Sequence, residues 1–128
     1  MDTQPYGVDA KGSWEWLRFA SQLPAKPFQF TAQSTNKLVY KGRCILREIT
    51  GLNNNATGGT LTLLDGEDTT GTIAGTQGYA ASSQFSHSFA SFGILMEIGC
   101  FLVPGGQSLT GTVALVPLWE YNITPPGE

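Results

Sequence analysis

Apolar and polar residues alternate with a period of two along much of the chain, the pattern of β-strands that have one buried and one exposed face. In residues 60–64, Leu61 and Leu63 alternate with threonines. The same alternation places phenylalanines on one face of residues 28–33 and of residues 84–89. From residue 28 onward the chain is therefore predicted to be all-β.

Turn-forming residues separate the alternating runs. Asn53, Asn54 and Asn55 precede a Gly58-Gly59 pair, and these residue types tolerate positive φ and bond their own backbone, so the chain is predicted to reverse there. Other predicted turns lie at Asp65-Gly66 and Pro104-Gly105-Gly106, and Gly42 is predicted to form a bulge or bend.

Seven or eight strands joined by such turns predict an antiparallel β-sandwich, jelly-roll-like, with an irregular N-terminal arm. The predicted strands cover residues 28–33, 38–40, 44–49, 60–64, 84–89, 94–98, 100–103 and 109–119, with one further short strand at 72–74 in the loop 69–83. Residues 1–27 form the predicted arm, 28–121 the sandwich and 122–128 a C-terminal tail.

The segment 13–23 fits two structures. A helix would have Ser13 as its N-cap and an apolar stripe, made of Trp16, Phe19, Ala20 and Leu23. A strand would instead explain why Trp14 and Trp16 flank Glu15. Pro24 and Pro27 end the segment in both cases, and a short helix or turn is the preferred interpretation.

A family resemblance lies in KGRCILREITGLNNNATGGTLTLLDGEDTTG, residues 41–71. In order, this segment contains a Gly, an apolar-Leu-Arg strand, a Gly-rich turn, TLTLLDG and an Asp/Thr/Gly turn. Residues 92–94 and 111–113 fit the later strands of the same pattern. The pattern resembles small tailed-phage virion β-sandwich proteins, encoded near head and decoration genes. The resemblance spans about residues 42–116.

That resemblance implies a capsid decoration (cement) protein on the virion surface, assembled in the host bacterial cytoplasm. Its implied partners are the major capsid protein and further copies of itself, with a homotrimer expected because capsid lattices present local three-fold positions. The expected role is mechanical: to sit across capsomer junctions and stabilise the head shell.

The chain is sparingly charged and its charges are unevenly distributed. Only 13% of residues are charged, about half the usual share, which suits a surface covered in an assembly. Residues 1–47 carry all seven Lys and Arg with three acids, a net of +4, whereas residues 48–128 carry seven acids and no base. Either the surfaces are polarised, as for a basic arm on an acidic shell, or the halves interleave and the fields average out.

Several classes of partner are not expected. The acidic overall charge and scattered basic residues argue against nucleic-acid binding. No stretch approaches the roughly 20 apolar residues that span a bilayer, and the N-terminus has no secretory signal pattern, so a soluble cytoplasmic protein without a membrane partner is expected. Cys44 and Cys100 lie in apolar runs and are predicted to be reduced and buried.

No enzyme is predicted, because no catalytic constellation is present. His87, the single histidine, would need a nucleophile and an orienting acid to act as a base. Asp65, Glu67 and Asp68 form an acidic turn without the EF-hand spacing, so a solvated turn is preferred over a calcium site. Neither glycine pair has the spacing of a phosphate loop. Catalytic residues, metal ligands and cofactors are all predicted to be none.

Aromatic residues outside the predicted core are the better functional candidates, because Trp and Tyr are enriched at interface hot spots. The candidate interface residues are Trp14, Trp16, Arg18, Phe19, Arg43, Arg47, Trp119 and Tyr121. In a regular strand, Arg43 and Arg47 share one face with Ile45 and Ile49. Either that face is an interface or a bulge near Gly42 shifts the register.

The same aromatics leave two other roles open. Trp119 and Tyr121 could bind a sugar ring, which would make the protein a head-fibre or tail-associated adhesive module for host surface glycans. They could also simply cap the open end of the sandwich.

Overall fold

Two antiparallel sheets pack face to face in the computed structural model, which describes residues 19–20, 22–89 and 93–122. The strands are β1 (Lys26–Gln33), β2 (Lys37–Lys41), β3 (Cys44–Asn53), β4 (Gly59–Asp65), β5 (Thr72–Tyr79), β6 (Ser83–Ser88), β7 (Ile94–Met96), β8 (Gly99–Val103) and β9 (Leu109–Val116). One helical turn, α1 (Leu118–Tyr121), follows β9.

Sheet I has the order β1-β9-β3-β6, with β7 pairing to β3 alongside β6, and sheet II has the order β2-β8-β4-β5. The antiparallel pairs are nested: β1 with β9, β2 with β8, β3 with β6 and β7, and β4 with β5. Since β6 and β7 together occupy one place beside β3, the nine strands fill four positions in each of the two sheets, with the pairing of a jelly roll. The predicted antiparallel sandwich is therefore confirmed.

The main core lies between the sheets, where the inward residues of the alternating runs meet. Leu61 and Leu63 of β4 are fully buried there, as the pattern predicts, together with Phe30, Phe85 and Val113. A second cluster, made of Ala20, Ile45, Val116 and Leu118, lies on the other side of sheet I at one end. It attaches α1 and the segment around Ala20 to the sandwich.

The register of β3 shifts at Arg47, which explains its unusual sequence pattern. The pairing with β9 is irregular between Leu46 and Glu48. Leu46 and Ile49 both reach the main core although three positions separate them, whereas Ile45 packs in the second cluster. A bulge therefore separates the two parts of the strand, several residues beyond Gly42, where the sequence placed it.

Strand β5 is longer than the short strand at 72–74 predicted within the loop 69–83. It pairs with β4 along its whole length, from Thr72 opposite Asp65 to Tyr79 opposite Gly59. Its glycines and small polar residues do not show the alternation of apolar and polar residues that predicts a strand. Gly75 has a packing reason, because a Cβ there would lie 2.5 Å from the ring of Phe89.

The final strand is shorter than the predicted 109–119. It ends at Val116, and Pro117 lies between the strand and α1, outside the ladder. The strand predicted at 94–98 likewise ends at Met96, while β1 begins two residues before the predicted start at residue 28. The predicted domain boundaries at 27 and 121 remain a prediction.

Phe19 and Ala20 have helical backbone, and the amides of Gln22 and Leu23 donate to their carbonyls at 3.1 Å. This agrees with the preferred helix or turn for the part of segment 13–23 that the structure describes. Residues 1–18 and 123–128 lie outside the described residues.

Candidate functional site

One end of the jelly roll, called here the terminal end, carries the turns β2–β3, β4–β5 and β7–β8 as well as the start of β1 and the end of β9. Backbone hydrogen bonds join these turns: Gly42 N–H donates to Ile98 O at 2.8 Å, and Gly66 N–H donates to Gly99 O at 3.2 Å. Lys26 of β1 pairs with Leu115 near the end of β9. The candidate residues Phe19, Arg43, Trp119 and Tyr121 thus share one end of the molecule.

Asp65 holds the β7–β8 turn in place. Its carboxylate accepts hydrogen bonds from the backbone N–H groups of Glu97 (3.0 Å) and Ile98 (2.9 Å), with Gly99 N–H at 3.4 Å. Hydrogen bonds to a charged acceptor are among the stronger ones in proteins. The sequence predicted Asp65 only as a turn residue, because its partners lie more than 30 positions later.

The acidic turn as a whole is organised by its own backbone. Asp68 accepts a 2.8 Å hydrogen bond from Thr70 N–H, and bonds from the Thr70 hydroxyl and amide hold the pKa of Asp68 below its usual range. Within the described residues, no group of three or more His, Cys, Asp and Glu is placed to hold a metal ion.

Trp119 is the most exposed large apolar side chain of the described residues, at 71%. Its backbone N–H donates to Arg43 O at 3.0 Å, which anchors α1 to the start of β3. Its side chain lies over Gly42, where a Cβ would be 2.9 Å from Trp119 Cβ and 3.0 Å from Cγ. Gly42 also has a φ of 123°. Its positive φ and the close side chain of Trp119 therefore both favour glycine at this position.

Tyr121 lies on the other side of α1 and makes structural contacts. Its hydroxyl donates to Pro24 O at 2.8 Å, and its half-buried ring packs against the second cluster. The ammonium of Lys26 lies 5.5 Å from the ring centroid and pairs with Glu120 at 3.0 Å. The hydrogen bond and charge of Glu120 raise the pKa of Lys26. These contacts attach the segment before β1 to α1.

The two arginine candidates have different surroundings. Arg43 Nε donates to Glu97 Oε1 at 3.0 Å at the terminal end, and both side chains are partly exposed. Arg47 lies at the β3 bulge, where its carbonyl accepts from Phe89 N–H at 2.9 Å. A Cβ on Gly93 would lie 3.3 Å from Arg47 Cδ, so this arginine runs beside β7. Trp14, Trp16 and Arg18 lie outside the described residues.

A surface pocket of about 410 Å³ opens beside Trp119. Its lining combines two apolar side chains with charged ones: Lys41, Gly42, Glu67, Glu97, Ile98 and Trp119. Ile98 is 51% exposed and projects from the turn that Asp65 holds. The sequence could not reveal this pocket, because its walls come from three separate turns and from α1.

A row of four apolar residues, called here the apolar row, crosses the outer face of sheet II. Leu38 pairs with Phe101, Phe101 with Leu64, and Leu64 with Ile73. Since Leu63 and Leu102 point into the main core, their neighbours Leu64 and Phe101 point outward. The two central members are buried, at 6% and 9%, while Leu38 and Ile73 at the edges are 38% and 64% exposed.

The next row on that face, Val103, Thr62 and Thr76, is also uncharged. Sheet I differs, because its outer rows carry polar side chains such as Gln29, Thr112, Thr50 and Ser86. The two outer faces are therefore chemically distinct, which the sequence alone did not reveal.

Both cysteines are buried and free, as predicted. Cys44 lies on β3 and Cys100 on β8, in facing sheets, and both belong to the main core. Burial, followed by Cys100 and Asp65, raises the pKa of Cys44 far above its ordinary value. Burial, followed by Asp65, raises the pKa of Cys100 to about 12.

His87 lies on edge strand β6 with an exposed side chain. Its ring meets Phe89 edge-on, with centroids 4.6 Å apart and an interplanar angle of 70°. Ser86 and Ser88 alternate with it and point to the opposite face.

No protein-family model matches the chain, and neither does any curated protein. A similar solved structure comes from Bacillus endospore appendages, described as forming a family of disulfide-linked pili. It is 15% identical, the match covers 71% of this chain and 80% of that one, and the TM-score is 0.41. At that TM-score the similarity carries no functional assignment. Separately, no helix in the described part of the chain is long and apolar enough to cross a membrane.

Proposed function

We propose that this protein is a non-enzymatic structural component of a phage virion, a capsid decoration (cement) protein that stabilises the head shell through subunit contacts. The observation that carries the proposal is the apolar row, with Leu38 and Ile73 exposed at its edges. An apolar row that crosses a whole sheet and is exposed at both edges favours a contact surface over scattered surface hydrophobics.

The surroundings of the row suit an interface between copies of an acidic chain. The net charge is −3, so surfaces that meet should not place like charges opposite each other. The apolar row and the adjacent Val103, Thr62 and Thr76 meet this condition because they carry no charge. The phage context itself comes from the sequence resemblance over residues 42–116.

In this proposal several copies, expected as a homotrimer, occupy local three-fold positions of the shell. The outer face of sheet II contacts a neighbouring copy. In this proposal Trp14, Trp16 and Arg18, which precede Phe19 in the sequence, supply a second contact.

Purified heads of the phage that carries the gene provide the test. The protein is expected in intact heads at a stoichiometry that matches the local three-fold sites, and it should rebind to stripped heads in a sedimentation assay. Ile73→Lys should abolish rebinding, whereas Ser86→Lys, on the outer face of sheet I, should not. Absence of the protein from purified heads would contradict the proposal.

A further inference from the structure

The backbone of Trp119 is anchored while most of its side chain stays exposed. The backbone bond to Arg43 O and the contact with Gly42 hold one side of the residue, and 71% of it remains exposed. An exposed aromatic ring on an anchored backbone is a good stacking surface, because less conformational freedom is lost when a ligand arrives than for a residue on a free segment.

The pocket beside this face has the mixed chemistry of a small-ligand site. Ile98 supplies a second apolar wall. Lys41 supplies hydrogen-bond donors, while Glu67 and Glu97 supply acceptors. A volume of about 410 Å³ lies within the usual range of ligand pockets, roughly 300–1,000 Å³.

The charges of the pocket favour an uncharged ligand. Glu97 is paired with Arg43 at 3.0 Å, so this carboxylate is already compensated. The remaining lining charges are one cation, Lys41, and one anion, Glu67. A strongly cationic ligand would meet Lys41, and a strongly anionic one would meet Glu67 and Glu97. Hydroxyl groups, which both donate and accept, match this set of side chains.

We propose that the Trp119 pocket binds one pyranose ring of a neutral saccharide. The C–H groups on the flat face of the ring stack on the indole, while hydroxyls at its edge bond to Glu67, Glu97 and Lys41. Sugars with equatorial hydroxyls fit best, because their axial C–H groups leave the ring face apolar. Tyr121 takes no part, since its hydroxyl is bonded to Pro24 O.

This site shares no residue with the surface used in the proposed function. The pocket opens at the terminal end, whereas the apolar row crosses the outer face of sheet II. Saccharide binding and assembly can therefore succeed or fail independently, and each has its own variants.

Isothermal titration of the full chain with cellotetraose, chitotetraose and maltotetraose tests the proposal. Binding of at least one tetrasaccharide is expected, and Trp119→Ala should weaken it about tenfold or more. Trp119→Phe, which keeps a stacking ring, should lose less. Glu67→Gln should weaken binding without abolishing it, and Ile73→Lys should leave it unchanged.

Unaltered circular dichroism and melting temperature of Trp119→Ala would show that the variant is folded, as expected for so exposed a residue. Failure of all three tetrasaccharides to bind would overturn the proposal, and so would equal affinity for the wild type and Trp119→Ala. Loss of head rebinding in Trp119→Ala, with no saccharide bound by the wild type, would instead assign the pocket to a protein contact.

Discussion

The carboxylate of Asp65 accepts a 2.9 Å hydrogen bond from the backbone N–H of Ile98, so the turn between β4 and β5 positions the turn between β7 and β8. Glu97 N–H makes a second such bond to the other oxygen. Because Ile98 and Glu97 both line the Trp119 pocket, the shape of that pocket depends on an acid that is not part of its lining.

Asp65→Asn should lower the free energy of unfolding by about 1–3 kcal/mol, because an amide has one acceptor oxygen and presents its NH₂ group to a backbone donor. Urea denaturation at neutral pH measures this. The control is Asp68→Asn, on an exposed turn of the same loop, which should change stability by less than about 0.5 kcal/mol. Equal effects of the two changes would contradict the role given to Asp65.

Asn53 is fully buried at the opposite end of the sandwich. Its Nδ2 donates to Thr57 O (3.0 Å) and Ala80 O (2.9 Å), and its Oδ1 accepts from the backbone and side chain of Asn55. Asn53→Ala leaves these partly buried groups without partners and should cost about 1–3 kcal/mol. The exposed neighbour Asn54→Ala should be close to neutral, and a comparable loss there would contradict this account.

Gly42→Ala should both destabilise the protein and displace Trp119. Positive φ costs a non-glycine residue about 1 kcal/mol or more, and the new Cβ would clash with the Trp119 side chain. Gly106→Ala is a matched control, because Gly106 has a φ of 98° but no atom within 4 Å of the added Cβ. Only Gly42→Ala should shift the NMR resonance of the Trp119 indole N–H; a shift in both variants, or in neither, would refute the contact.

The buried cysteines predict how stability depends on alkaline pH. The folded thiols have raised pKa values, so the folded state keeps protons that the unfolded state loses above its ordinary thiol pKa of about 8.5. Their contribution is complete below that pH and is lost as the pH rises toward 12. Each cysteine should reduce stability by about 1.4 kcal/mol per pH unit in this window.

Urea denaturation at several pH values between 8 and 10 measures this slope. The double variant Cys44→Ala and Cys100→Ala should be less stable at pH 7, because it leaves cavities in the core, but its stability should decline less steeply with pH. An identical slope in the wild type and the double variant would show that the thiols do not titrate as described.

Much of the fold could be predicted from local patterns, because alternation and turn residues act over a few positions. The alternation at Leu61 and Leu63 predicted a strand, and Pro104-Gly105-Gly106 predicted a turn. Strand β5 lacked such a signal, since it consists largely of glycines and small polar residues, and at Gly75 the close approach of Phe89 leaves no room for a strand-forming side chain. The sequence likewise continued the last strand past Pro117, where the chain forms α1.

The candidate site was less predictable, because its residues meet only through the topology. Trp119 was expected to be a candidate interface residue. That it is exposed while Tyr121 makes structural contacts could not be predicted, because the two residues lie on different sides of α1. Ile98 gave no signal beyond being the end of an apolar run. The apolar row also joins residues from four strands, and no pattern within one strand reveals that Leu38 and Ile73 share a face.

The central claim is that the protein assembles through the outer face of sheet II. Native mass spectrometry of the wild type, Ile73→Lys and Ser86→Lys over a concentration series tests it most directly. The account predicts a trimer for the wild type and Ser86→Lys, and a monomer for Ile73→Lys. A monomeric wild type at every concentration, or a trimer that Ile73→Lys leaves intact, would contradict it.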